Sequence, residues 1–142
     1  MAIFGTDGMP ADFYIDVPRR MVFSKGIGGL SRADCLDHMN RLQPHPDFRP
    51  EFNQLLDFRA ITAVNVTNAD IIHLAERPVF SPRSRRAFVV TSDLHFGLVR
   101  MFTTYREMAG EQGIQIFREM NKALEYLSLA EAGDSKLFSK LQ

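Results

Sequence analysis

Residues 86–102 read Arg86-Ala87-Phe88-Val89-Val90-Thr91-Ser92-Asp93-Leu94-His95-Phe96-Gly97-Leu98-Val99-Arg100-Met101-Phe102, and their order decides the fold. Ala87 to Val90 is apolar at every position, the pattern of a strand covered on both faces in a parallel sheet. This reading puts the central strand near residues 87 to 91. Asp93 then caps a helix whose apolar residues Leu94, Leu98, Met101, Phe102, Tyr105 and Met108 share one face, and Gly110 and Gly113 mark its end. Strand followed by amphipathic helix is half of a βαβ unit.

Toward the C-terminus, Ile114-Gln115-Ile116 alternates as a peripheral strand does, and a last helix starts near Arg118 with the stripe Met120, Ala123, Leu124 and Leu127. Beyond Gly133, Lys136 to Leu141 can add one more turn. Toward the N-terminus, Thr67 and Asp70 form a helix cap ahead of Ile71, Ile72, Leu74 and Ala75, with a stop at Pro78. A strand over Asn53 to Ile61 precedes it, built around Leu55-Leu56-Asp57-Phe58. Ser31 and Asp34 repeat the cap arrangement before Cys35, Leu36, Met39 and Leu42, and Pro44 closes that helix. Phe13 to Val17 and Met21 to Ser24 flank Pro18-Arg19-Arg20 as an antiparallel hairpin.

The order is therefore β-β-α-β-α-β-α-β-α. It predicts an α/β fold with a single mixed, mostly parallel sheet of about five strands covered by about four helices, joined by right-handed crossovers. Residues 1–11 read as a loosely held leader, 12–130 as the α/β domain, and 131–142 as a tail that can hold a short helix. A chain of 142 residues has the size of one domain.

Seventeen basic and seventeen acidic residues leave no net charge, so the broad positive field of a nucleic-acid binder is missing. No apolar run reaches the roughly 20 residues of a transmembrane helix. The single cysteine, Cys35, has no intramolecular disulfide partner, and a reducing, cytoplasmic setting is expected.

The element order, with Leu56-Asp57-Phe58-Arg59, Arg86-Ala87-Phe88-Val89-Val90, Phe96-Gly97-Leu98-Val99-Arg100-Met101-Phe102 and Ile116-Phe117 before Ala123-Leu124, resembles the small bacterial proteins of the STAS/SEC14-like group. Their fold is that of the anti-sigma-factor antagonists, the SpoIIAA-like fold. The resemblance spans roughly residues 13 to 128. It implies a regulatory serine in the turn that here reads Thr67-Asn68-Ala69-Asp70, which makes Thr67 the matching candidate phosphosite beside its role as a cap. Fold alone does not assign function.

Several constellations hint at chemistry but read as structure. Arg77, Arg83, Arg85 and Arg86 form the densest charge run, but they precede a strand, whereas ligands of open α/β sheets lie beyond the strands' carboxyl ends; a solvated loop or partner patch is expected. Lys25-Gly26-Ile27-Gly28-Gly29 lacks the spacing and the Gly-Lys-Ser/Thr of a phosphate loop and reads as a flexible turn. His38, His45 and Asp47 straddle a helix end and a proline-rich loop rather than matching a metal motif. Ser92, Asp93 and His95 lack a nucleophile-elbow context. No catalytic, cofactor or metal site is predicted.

What is left is surface. Phe96 and Val99 fall away from the helix stripe, and with Arg100 and Thr103 they are expected to form an interaction surface for a protein partner or a second copy, as in a homodimer. Asp57, Arg59, Ser92, Asp93, Arg118 and Glu119 are expected around a crevice at the strands' carboxyl ends. Two readings follow: a non-enzymatic interaction or regulatory module, or a carrier of a small apolar or lipid-like ligand, the latter drawn from the SEC14-like resemblance and from the Phe and Met content.

Overall fold

Helix starts in this chain are written as side-chain caps. Ser31 Oγ accepts from the Asp34 amide at 3.2 Å while the Asp34 carboxylate accepts from the Ser31 amide at 2.8 Å. Thr67 and Asp70 do the same at 3.0 and 2.9 Å. Each box satisfies amides that a first helical turn leaves without partners. They open α1 (Arg32–Leu42) and α2 (Asn68–Ala75). For α3 (Asp93–Met108) the cap is Ser92, one residue earlier than the expected Asp93: Ser92 Oγ accepts from His95 N at 3.2 Å. Asp93 stands instead in the first turn, where its charge meets the positive helix end.

The computed structural model describes residues 9–129. The expected extra turn at Lys136 to Leu141 and the first eight residues of the expected leader lie outside them. Five strands, β1 (Ala11–Asp16), β2 (Met21–Ser31), β3 (Asn53–Asn65), β4 (Arg86–Val89) and β5 (Ile114–Phe117), form one sheet in the order β1-β2-β3-β4-β5. The β1–β2 hairpin is antiparallel and the other three pairings are parallel. A fourth helix, α4 (Met120–Tyr126), follows β5. The mixed, mostly parallel α/β sheet with four helices is thus present.

Three expectations shift. The geometric centre of the sheet is β3, and β4 lies one strand in from the edge. Burial on both faces makes a strand wholly apolar; it does not say how many strands lie on either side. Second, Lys25 to Gly29 is no flexible turn, because β2 continues through it to Ser31 beside β3. The parallel register slips between Lys25 and Ile27 and again between Gly28 and Gly29. Gly28 takes φ 71°, a conformation that costs a glycine little, and so allows the bulge without breaking the strand. Third, Pro10 and Ala11 are tied to β2: Ile27 N donates to Pro10 O at 2.9 Å, and Ala11 begins β1.

A sheet that adds each strand beside the last, with crossovers of one hand, must put every crossover helix on the same face. On that face the register brings Val22 and Ser24 of β2 beside Gln54 and Leu56 of β3, and these beside Arg86 and Phe88 of β4. Leu42 of α1 packs with Val22, and Val99 of α3 with Leu56 and Phe88. The opposite face carries Phe23, Leu55, Ala87 and Val89, covered by Ala123, Leu124 and Leu127 at the end of the chain's described part. The α4 stripe read from the sequence is the buried one.

On α3 the inward face is not the expected one. His95, Val99, Thr103 and Arg106 are buried, while Leu94 is 70% and Met108 77% exposed. Apolar periodicity misplaced the face because polar side chains turn inward where partners wait. Thr103 Oγ1 donates to Arg100 O at 3.0 Å, and Arg106 reaches Glu111 and the Ala75 carbonyl.

Candidate functional site

Arg86 opens β4, and alternation puts its side chain on the same face as Phe88, under the helices. There it is 6% exposed, not the solvated loop residue expected from the arginine run. Arg83 and Arg85 are exposed, and Arg77 hydrogen-bonds Gln43 and Asn40 across the α1–α2 surface. A buried guanidinium must be matched by acceptors or its desolvation is unrepaid.

The acceptors come from two directions. Arg86 Nε donates to Gln54 Oε1 at 3.0 Å, and Nη1 donates to both Glu111 oxygens at 2.9 and 3.1 Å. Arg106 Nε donates to the same carboxylate at 2.7 Å and its Nη1 to Ala75 O at 2.7 Å. The backbone places Glu111 there. Helix α3 ends with Gly110 at φ 108°, Gly110 N donating to Glu107 O and Glu111 N to Arg106 O, both at 3.0 Å. This is the Schellman arrangement, and it folds the chain back so that Glu111 follows Arg106 inward.

On the other side the chain of bonds runs across the strands. Gln54 Nε2 donates to Ser24 Oγ, and Ser24 Oγ meets His38 Nε2 of α1, each at 2.9 Å. Proton accounting orients the amide of Gln54. A guanidinium only donates, so the Gln54 oxygen faces Arg86 and its nitrogen faces Ser24. The Ser24 hydroxyl accepts from Gln54 and keeps one proton and one lone pair, so it gives to or accepts from His38 Nε2 according to the imidazole tautomer. Although His38 keeps part of its edge accessible, crowding around the ring pulls its pKa from 6.5 down to about 4, with Arg41 and Arg86 pushing the same way. The ring is therefore neutral at pH 7.

Above this polar chain lies a cavity of about 140 Å³ between the sheet and α1, α2 and α3. Its walls are Met39 and Leu42 of α1, Ile71 and Leu74 of α2, and Leu98, Val99 and Phe102 of α3; Leu56 and Phe88 rise from the sheet, with Ser24, His38, Gln54 and Arg86 at its polar side. Cys35 also lines it, with its thiol raised to about 12 chiefly by burial and so protonated and unreactive at neutral pH. Ser24 and His38 have nucleophile–base spacing, but Ser24 is 2% exposed and its oxygen already accepts from Gln54. The pair reads as a structural link in the chain.

The residues read from sequence fall in several places. Of the expected interaction surface, Arg100 is exposed and Phe96 half-buried, whereas Thr103 is inside and Val99 lines the cavity. Val99 and Thr103 are thus no part of an outer surface, because the inward face of α3 is the His95–Val99–Thr103–Arg106 one. Of the expected crevice, Arg59 grips Asp57 through two bonds of 2.9 Å. Separately, Arg118 pairs with Asp93 at 2.8 Å, reaches Thr91 O and stacks on Phe96 at 4.5 Å. Ser92 is occupied as a cap, and Glu119 is the N-cap of α4 without a side-chain bond. Thr67 is exposed with its hydroxyl engaged in the α2 cap. His45 Nδ1 accepts from Asp47 N, far from the role of a ligand shared with His38, and among the described residues no group of three metal-binding side chains occurs. No described helix is long and apolar enough to cross a membrane.

Comparison with known proteins adds the fold. No family model matches the chain, and no curated protein does. Among solved structures it is similar to an uncharacterised protein of the DUF3478 family with a SpoIIAA-like fold from Shewanella loihica PV-4, at a TM-score of 0.57 and 16% identity, over 87% of this chain and 98% of that one. With its order of elements and its mixed five-stranded sheet, this chain has a SpoIIAA-like fold.

Proposed function

We propose that the protein binds a small apolar molecule in the cavity between the sheet and helices α1 to α3. The observation that carries this is the cavity itself, a partly open space of about 140 Å³ with aliphatic and aromatic walls. An engineered apolar cavity of about 150 Å³ takes up benzene, which sets the scale of the occupant. Apolar walls with a few polar groups at one side are the usual make-up of a small-molecule site. Hexan-1-ol added to the protein is expected to shift the methyl NMR resonances of Leu74, Leu98 and Val99 saturably, and at ten times Kd to raise the unfolding free energy by about 1.4 kcal/mol. A Val99→Trp variant, its indole filling the space, is expected to lose both effects. Linear, unsaturable shifts in the wild type would refute the reading.

A second reading, self-association as an interaction module, is favoured by the outward side of α3. Leu94 and Met108, the two most exposed large apolar side chains of the described residues, stand on it with Met101 and Tyr105 half-buried between. Light scattering is expected to give a dimer for the wild type and a monomer for Leu94→Glu with Met108→Glu. A wild-type monomer at millimolar concentration would dismiss it.

A further inference from the structure

We infer that the occupant of the cavity is an apolar carboxylate whose anionic end meets Arg86; this rests on the cavity-binding reading above and gives its ligand a charge. The charge count is the first ground. Arg86, Glu111 and Arg106 are 6%, 3% and 4% exposed, and two guanidinium groups share one carboxylate, so this buried cluster carries one positive charge more than it neutralises. The cavity wall repeats the imbalance. Arg86 lines it, and no aspartate or glutamate among the described residues does.

The donor count is the second ground. Arg86 commits Nε to Gln54 and Nη1 to Glu111, and its Nη2 amino group makes no hydrogen bond to any described residue. A guanidinium presents its donors in a planar fork matched to a carboxylate, so the uncommitted edge of Arg86 is the natural seat for one oxygen of an entering anion. The guanidinium carbon of Arg86 lies 4.6 Å from the Phe80 ring centroid, a cation–π contact on its face. The apolar walls then receive the tail, and the cavity volume limits it to about six carbons on the benzene scale. A neutral alcohol of the same length would bury the same surface but leave the excess charge where it is.

Hexanoate and hexan-1-ol distinguish the two. Titrated at pH 7 into the full-length protein, hexanoate is expected to bind at least ten-fold more tightly than hexan-1-ol, and to move the Arg86 Nε–H resonance, which the alcohol leaves in place. In Arg86→Met the preference is expected to fall within two-fold. Equal affinity of the two ligands in the wild type, or a preference that survives in Arg86→Met, would overturn the charge assignment while leaving the cavity-binding reading intact. Absence of saturable binding by either ligand would overturn both. Should Arg86→Met fail to fold, the wild-type comparison and the Arg86 resonance decide alone.

Discussion

Replacing Glu111 with alanine is expected to lower the unfolding free energy by about 3–5 kcal/mol, out of a total of about 5–15 for a domain of this kind. Glu111 is the only carboxylate hydrogen-bonded to Arg86 and Arg106 among the described residues, and all three side chains are within the core. Removing it leaves two buried guanidinium groups facing each other without a counter-charge. Replacing the whole cluster with apolar side chains is a different experiment, since ion pairs that lose both partners together often cost nothing. Glu111→Gln keeps acceptor geometry but not charge and is expected to fall between the wild type and Glu111→Ala. Urea unfolding monitored by circular dichroism reads the series, with Arg100→Ala on the exposed side of α3 as a control expected within about 0.5 kcal/mol of wild type. A loss below about 1 kcal/mol for Glu111→Ala would show that water reaches the arginines.

Stability is also expected to decline in mild acid, by about 2 kcal/mol between pH 7.5 and pH 5, because of His38. The imidazole titrates near 6.5 in the unfolded chain and at about 4 in the folded one. Between those values the unfolded chain binds the proton and the folded chain refuses it, so the contribution is complete above pH 6.5 and drains away as pH falls toward 4. The structural reason is burial of the ring, which disfavours its charged form, with the positive charges of Arg41 and Arg86 acting in the same direction. Urea midpoints at pH 7.5, 6 and 5 measure the slope, and His38→Gln is expected to flatten it. An unchanged slope in that variant would place the acid sensitivity elsewhere.

Much of the architecture was legible before any coordinates. Ser31–Asp34 and Thr67–Asp70 announce helix starts because a capping box is a local device, complete within four residues. Ala87 to Val90 announces a covered strand for the same reason of locality, and Met120, Ala123, Leu124 and Leu127 form the buried face of α4 as their spacing says. The errors share the opposite character. Arg86 looks like a surface residue until Glu111, 25 positions later, arrives to match it. Thr103 and Arg106 look outward until their acceptors are known, and so the face of α3 was read rotated toward Leu94 and Met108, with Leu98 and Phe102 alone of its stripe turned to the cavity. The one signal available for the site was alternation: if Phe88 and Val90 are buried on one side of a strand, Arg86 must share that side. Lys25 to Gly29 was misread because a glycine run signals freedom to bend, and only the length of the neighbouring β3 shows that it stays extended. The cavity was not legible at all, since a void is a property of how three helices fail to meet.

The late position of Glu111 has a bearing on how the chain leaves the ribosome. Strands β2, β3 and β4 are neighbours in the order in which they are made, so each can dock on its predecessor during synthesis. By the time α3 has emerged, both arginines of the core are present and their shared carboxylate is five residues away, past the turn at Gly110. A nascent chain up to that point holds two like charges where its core must close, so burying both arginines before Glu111 arrives is disfavoured. Final packing around the two arginines is therefore expected to wait for the helix-ending turn, the same stretch of chain that leads into the last strand.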